Sequence, residues 1–211
     1  MRRLIIEAAQ RLFVTEGYES TTIRRIAEAI EYTPGAIYSY FKDKDAILYA
    51  LHQEGFREMQ QRFEGAVGQA QNPLEQLIAL GEAYIGFARA NPELYHLMFV
   101  AQATSRTLSE AESWPEGTAV YDVLRSLVRT AVTDGWIRPG DPEVIAFTLW
   151  AMVHGAATLD ICERCVVLPE SHRGHIIAPS FRYLIEAMAL TPTASAGPSQ
   201  EPRRKRSLPE Q

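Results

Sequence analysis

Cysteine is scarce in this chain. Its 211 residues contain only two, Cys162 and Cys165, which excludes the disulfide framework that staples small secreted domains. Long uninterrupted apolar runs are missing as well. The greasiest stretch, Val144 to Leu159, includes His154 and two threonines and is too short to span a bilayer comfortably. At the N-terminus, MRRLIIEAAQRLF is broken by Glu7, Gln10 and Arg11 before a leader core can form, so no secretory signal is expected. Surplus positive charge is also lacking: the net charge is -5, which argues for modest non-specific affinity for nucleic acid. No phosphate-binding loop, nucleophile elbow or spaced acid pair occurs. An enzyme built on His154 with Asp160 or Glu163 therefore has no motif behind it, and no enzymatic activity is expected. A soluble cytoplasmic protein is the default.

What is present points to helices and to DNA. Ile23, Ile26, Ala27 and Ile30 recur at i, i+3, i+4 and i+7, which places them on one helical face. Thr33-Pro34 then restarts the chain, with a threonine suited to an N-cap and a proline suited to a first turn. Ile37 and Phe41 pack inward from this second helix. Gly35, Ala36, Tyr38, Ser39 and Tyr40 are left facing out, a surface of small residues and phenols that suits a groove better than plain solvation. Two short helices in this relation form a helix-turn-helix. A preceding stripe of Leu4, Ile5, Ala8, Ala9, Leu12 and Phe13, stopped at Gly17, completes a three-helix domain. The charge distribution is compatible. Residues 1–51 are neutral, 52–190 carry a net -7 and 191–211 a net +2. A neutral reading domain can still bind through hydroxyls, backbone N–H groups and a few placed cations.

The ordered set Ala9, Leu12-Phe13, Gly17-Tyr18, Thr21-Thr22, Ile26-Ala27, Ala36 to Phe41 and Lys44 resembles the N-terminal signature of the TetR family of transcriptional regulators. Glu31 departs from it, standing where the family usually has glycine, so left-handed backbone strain is expected in the turn. Chemistry and resemblance together name the DNA contacts. Thr22 and Thr33 would cap their helices and donate to phosphates, and Arg24 would reach a base edge or the backbone. Pro34, Gly35 and Ala36 would allow close approach, Ala36 towards a thymine methyl. Tyr38 and Tyr40 match family positions that touch phosphates and bases. Lys44 would clamp a phosphate.

The expected fold is all-α, with the helix-turn-helix domain at 1–45, a C-terminal bundle at 46–190 and a disordered basic tail at 191–211. Lys44 to about Val67 forms one long connecting helix of roughly 35 Å. Further helices are expected from Asn72-Pro73, after Asn91-Pro92, over 119–133 and over 143–161, with 104–118 irregular. The last of these helices is apolar almost all round. Its pairing with 119–133 reads as a homodimer interface, a four-helix bundle using Val120, Leu124, Leu127, Val128, Trp150 and His154. Two recognition helices one duplex turn apart also require a dimer.

Asn91 to Phe99 and Trp150 to Gly155 resemble the WHG-type C-terminal domain of some TetR-like regulators, over about residues 75–188. That resemblance implies a small, mostly apolar effector held between bundle helices, with no cofactor. Tyr84, Phe87, Tyr95, Met98, Phe99, Trp114 and Met152 are the candidate pocket residues. The partners so implied are operator DNA, a small-molecule effector and a second copy, with no membrane. The function so implied is a ligand-released repressor. An alternative uses Cys162, Cys165, His172 and His175, whose C-x2-C-x6-H-x2-H spacing offers four zinc or thiol ligands. A third reading, a helical interaction module with a vestigial helix-turn-helix, also stays open. Arg203 to Arg206 in the tail can meet DNA phosphates or remain solvated.

Overall fold

The computed structural model describes residues 1–100 and 115–190. Among them are nine α-helices and two short 3₁₀ turns, with one isolated β-bridge between Ile137 and Ala189. The α-helices are α1 (Arg2–Thr15), α2 (Ile23–Ala29), α3 (Pro34–Tyr38), α4 (Lys44–Val67), α5 (Pro73–Ala90), α6 (Pro92–Phe99), α7 (Pro115–Thr133), α8 (Pro142–Ile161) and α9 (Ile177–Met188). The expectation for Trp114 lies outside the described residues, as do those for most of 104–118 and for the tail. The chain is already helical from Pro115, four residues before the periodic pattern of 119–133.

Local chemistry explains most of the boundaries. Thr22 accepts from the Arg25 N–H, Asp43 from Ala46 and Asn72 from Glu75, each satisfying a donor that the first turn leaves free. Glu75 also reaches back to the Gln71 N–H at 2.9 Å. Proline occupies the first position of α3, α5, α6, α7 and α8, where its missing donor costs nothing. Helix α1 buries Ile5, Ile6, Ala8, Ala9, Leu12 and Phe13. Leu4, expected in that stripe, is 41 % exposed, and Ile6 takes its place.

Helix α5 is the hub of the bundle and touches α4, α6, α7, α8 and α9. Its Gly81 seats the Phe181 ring of α9 so closely that a Cβ would overlap three ring atoms. Gly86, on the same helix, has nothing within 4 Å of a built Cβ. Gly81→Ala is therefore expected to lower the unfolding free energy by about 1–3 kcal/mol through overpacking. Gly86→Ala should raise it by roughly 0.5–1 kcal/mol through helix propensity. Urea unfolding of the two variants side by side would measure both signs.

Candidate nucleic-acid interface and internal cavity

Helices α2 and α3 meet at a tight turn. Tyr32 N–H donates to the Ala27 carbonyl at 2.9 Å and Glu31 N–H to Glu28 at 3.2 Å, a paired arrangement that closes α2. Glu31 sits at φ +58°, the left-handed conformation expected from the missing glycine. Ile37 and Phe41 are buried under α3. Outward stand Thr33, Pro34, Gly35, Tyr38 and Tyr40, with Ala36 half-buried. Tyr38 is 56 % and Tyr40 51 % exposed. Regular helix ends at Tyr38, so Tyr40 lies in the following turn, held by its N–H to Ile37 at 2.8 Å.

The cations divide by how tightly each is already held. Arg24 makes an exposed i,i+4 pair with Glu28 at 3.0 Å and keeps its reach. Arg25 forks onto Glu16 at 2.8 Å, and that pairing raises its pKa. Lys44 is not the free phosphate clamp its position suggested. Its ammonium donates to the Tyr18 carbonyl at 2.6 Å and lies 4.1 Å over the Tyr18 ring. It thereby fastens the turn before α2 to the start of α4. The Tyr18 hydroxyl, hydrogen-bonded to Asp45, reinforces that joint. Two exposed residues flanking α3 escaped sequence reasoning, Tyr32 in the turn and Lys42 after it. Both are visible only as departures from apolar periodicity.

Helix α4 carries this domain into the bundle. Arg2 of α1 pairs with Glu54 at 3.1 Å. Further along, Gln53 donates to Glu116 of α7 at 2.7 Å and the Tyr49 hydroxyl donates to the same carboxylate at 3.4 Å. His52, buried between Tyr49 and Phe56, has its pKa pushed down to about 4 by burial, against the pull of Glu116. The N-terminal turn of α7 is thus clasped to the N-terminal half of α4.

Beyond the clasp the bundle holds a half-open cavity of about 430 Å³. Its walls are Phe56, Met59 and Phe63 of α4, Leu80, Gly81 and Tyr84 of α5, Phe99 of α6 and Phe181 of α9. Helix α7 contributes Gly117, Thr118, Val120, Tyr121, Asp122, Leu124 and Arg125, and α8 contributes Phe147, Leu149, Trp150 and Val153. Of the expected pocket residues, Tyr84 and Phe99 are on the wall. Phe87, Tyr95 and Met98 are not: all three are fully buried in the core. Met98 presses its sulfur on Gly55, and Phe87 lies under Arg62. Met152 is half-buried away from the cavity. The missed liners on α4, Phe56 and Phe63, belong to a stripe that periodicity reads equally well as core.

The expected dimer residues are redistributed too. Val120, Leu124 and Trp150 line the cavity, Val128 is completely buried within the chain and Leu127 packs on the core. Within the single chain, Val120, Val123, Leu127 and Val132 of α7 are partly buried against the core. His154 turns inward as well, its Nδ1 lying 2.8 Å from the Tyr84 hydroxyl and 2.9 Å from that of Tyr95. Burial lowers the His154 pKa and raises those of both phenols, which favours the neutral form of all three groups. The apolar surface left open lies on α8 and α9 instead. Val144, Phe147 and Leu159 are more than half exposed, and Tyr183 is 75 % exposed. Helix α8 is the one described helix long and apolar enough to cross a membrane by length and composition, yet it packs on α5, α7 and α9.

The Cys/His set is not brought together. Helix α8 stops at Ile161, and Glu163 at φ +54° turns the chain away, leaving Cys162 exposed and Cys165 half-buried in a 3₁₀ turn. His172 and His175 are exposed beyond it. Among the described residues, no group of three or more His, Cys, Asp or Glu could hold a metal ion. Asp160, the other polar group at this end, is held by Arg89 at 2.6 Å.

Comparison with known proteins agrees with this anatomy. The profile described as bacterial regulatory proteins, tetR family, matches residues 5–51, and the tetracyclin repressor-like C-terminal domain matches 77–188. The HTH-type transcriptional regulator HbdR of Aromatoleum sp. (strain CIB) is 26 % identical over 161 residues, covering 74 % of this chain and 70 % of that protein. An HTH-type transcriptional repressor of Mycobacterium tuberculosis is 43 % identical over 58 residues, 28 % of this chain and 31 % of the repressor. Among solved structures, the transcriptional regulator FadR from Bacillus subtilis in complex with stearoyl-CoA superposes with a TM-score of 0.70 at 18 % identity, covering 88 % of this chain and 97 % of FadR. With a helix-turn-helix at one end, a hollow helical bundle at the other and a family profile matched over each, the chain belongs to the TetR family of bacterial transcriptional regulators.

Proposed function

We propose that the protein is a cytoplasmic, homodimeric repressor that leaves its operator when a small apolar effector fills the bundle cavity. The observation that carries this reading is the cavity's position between α4, which bears the helix-turn-helix, and α7, which is clasped to α4 through Glu116. An effector that binds one arrangement of α4 and α7 better than another shifts the population towards it, by its difference in affinity for the two. Repression is supported by the name of the M. tuberculosis relative, and a small-molecule effector by the stearoyl-CoA in the FadR structure.

Thr22, Arg24, Thr33, Pro34, Gly35, Ala36, Tyr38 and Tyr40 form the DNA face. Lys44 takes part once a phosphate competes with the Tyr18 carbonyl. A dimer seam on α8 and α9 covers Val144, Leu159 and Tyr183 and sets two α3 helices about 34 Å apart, one duplex turn. The direct test is binding of the purified protein to duplexes tiled across the DNA flanking its gene, at two salt concentrations. Selective binding that weakens in Tyr40→Ala supports the repressor; weak, salt-sensitive binding at every site rejects it.

The clasp has its own expected outcome. Glu116→Ala should change the operator affinity of the unliganded protein by about fivefold or more, the low end of allosteric coupling, although Glu116 belongs to the C-terminal bundle. Glu116→Gln keeps an acceptor for Gln53 and should stay close to the parent. Equal affinities for all three proteins would remove α7 from the switch.

A further inference from the structure

We infer that the effector is an uncharged, ring-bearing apolar molecule, neither an organic anion nor a coenzyme A thioester. The inference rests on the cavity being the effector site and adds the chemical class. Among the described residues on its wall, the acidic or basic side chains are Asp122 and Arg125. They are already committed to each other, Arg125 Nη2 lying 2.5 Å from Asp122 Oδ1. The next charges outward are balanced too: Glu143 holds Arg129 at 2.8 Å and stands 3.7 Å from the second Arg125 nitrogen. Among the described residues here, two carboxylates therefore meet two guanidinium groups, with no cation in surplus.

An anion approaching Arg125 would compete with Asp122 and stand beside its negative charge. A cation would strip Asp122 from Arg125 in the same way. Either exchange gives up an existing ion pair or sets like charges side by side, a cost that a neutral ligand avoids. The polar edge is neutral as well. The Tyr84 phenol is held protonated by burial and is engaged with His154 Nδ1 at 2.8 Å. Burial, with Glu143 nearby, holds the Tyr121 phenol protonated too.

Ring geometry sets the rest. Tyr121 and Trp150 meet edge to face with centroids 5.7 Å apart, and Phe147 meets Trp150 likewise at 6.0 Å. Phe56 and Phe63 line the opposite, α4 side. Such walls offer ring faces and edges to a flat apolar guest. The volume is in the range of roughly 300–1,000 Å³ that suits drug-sized ligands.

The test uses the full-length protein with Nile red, an uncharged fluorescent probe, in the cavity. The probe is displaced by 1-naphthalenemethanol, by 1-naphthoate or by decanoyl-CoA at neutral pH. The neutral alcohol should displace it at a concentration about tenfold or more below that of the carboxylate, and decanoyl-CoA should not displace it. In Asp122→Asn, which leaves Arg125 less fully paired, the gap between alcohol and carboxylate should narrow several-fold. Equal displacement by the carboxylate or by decanoyl-CoA in the parent protein would overturn the assignment. Val120→Trp, which fills the cavity from its wall, separates the two levels. Nile red binding that this variant leaves intact would show the cavity is not the site, and the ligand class would fall with it.

Discussion

Placing a glutamate at Gly35 should cost about 100-fold or more in operator affinity while leaving the melting temperature unchanged or slightly higher. The two effects have opposite signs because one carboxylate meets two environments. In the free protein, Gly35 is exposed at the second position of α3, and a Cβ there would find only the Thr33 hydroxyl, at 3.9 Å. Its φ is not among the positive values, so an L-residue fits without strain. A negative charge in the first turn of a helix is favourable by about 0.3–1 kcal/mol. Against a duplex, the same carboxylate stands where α3 would approach the phosphates, and like-charge juxtaposition costs several kcal/mol. Since about 2.8 kcal/mol corresponds to 100-fold in affinity, the loss should be large. Fluorescence anisotropy with an operator duplex and a thermal melt on one sample would read both. Retained binding at unchanged stability would remove α3 as the reading element.

The second large effect is expected at Tyr183. This ring is 75 % exposed on α9, beside an α8 face that leaves Val144 and Leu159 more than half exposed. Exposed apolar residues on two helices that pack together are the surface the proposed dimer seam would cover. Tyr183→Glu removes no internal contact of comparable size, yet it would bury a charge in the seam. The expected result is a monomer by light scattering, with an operator affinity lower by about 10²–10⁴, the range by which joining two binding modules exceeds one alone. A dimer that survives would place the seam elsewhere on the bundle, for example on the exposed Val166 and Val167.

Much of this architecture is legible in residue order because local rules decide it. Threonine and asparagine before a proline or an apolar run start α2, α3 and α5 as the sequence predicts, and Asp43 starts α4 in the same way. Glu31 in place of glycine foretold the left-handed turn, since the backbone path of a helix-turn-helix demands that conformation whatever the side chain. The order of motifs from Ala9 to Lys44 and the Asn91-Pro92 and Trp150 to Gly155 segments identified both halves of the family.

What could not be read was the partner of each apolar face. Amphipathicity says that a face is covered and is silent on what covers it. Helix α7 displays the strip expected of a dimer seam, and within the single chain Leu124 and Val128 of that strip are buried in the core. Helix α9 carries a smaller face, and it holds the exposed tyrosine. The same silence applies to aromatic residues. Phe87 is as apolar as Phe56, Phe63 and Phe99, and only tertiary packing decides which of these rings touch empty volume. Lys44 looks free in the sequence because the Tyr18 carbonyl that holds it lies 26 residues away. Periodicity, caps and motif order act over a few residues, so the chain alone determined its helices, its turns and its family. Which faces meet, which charges are already paired and where a cavity opens depend on contacts distant in sequence, and these the tertiary structure alone decided.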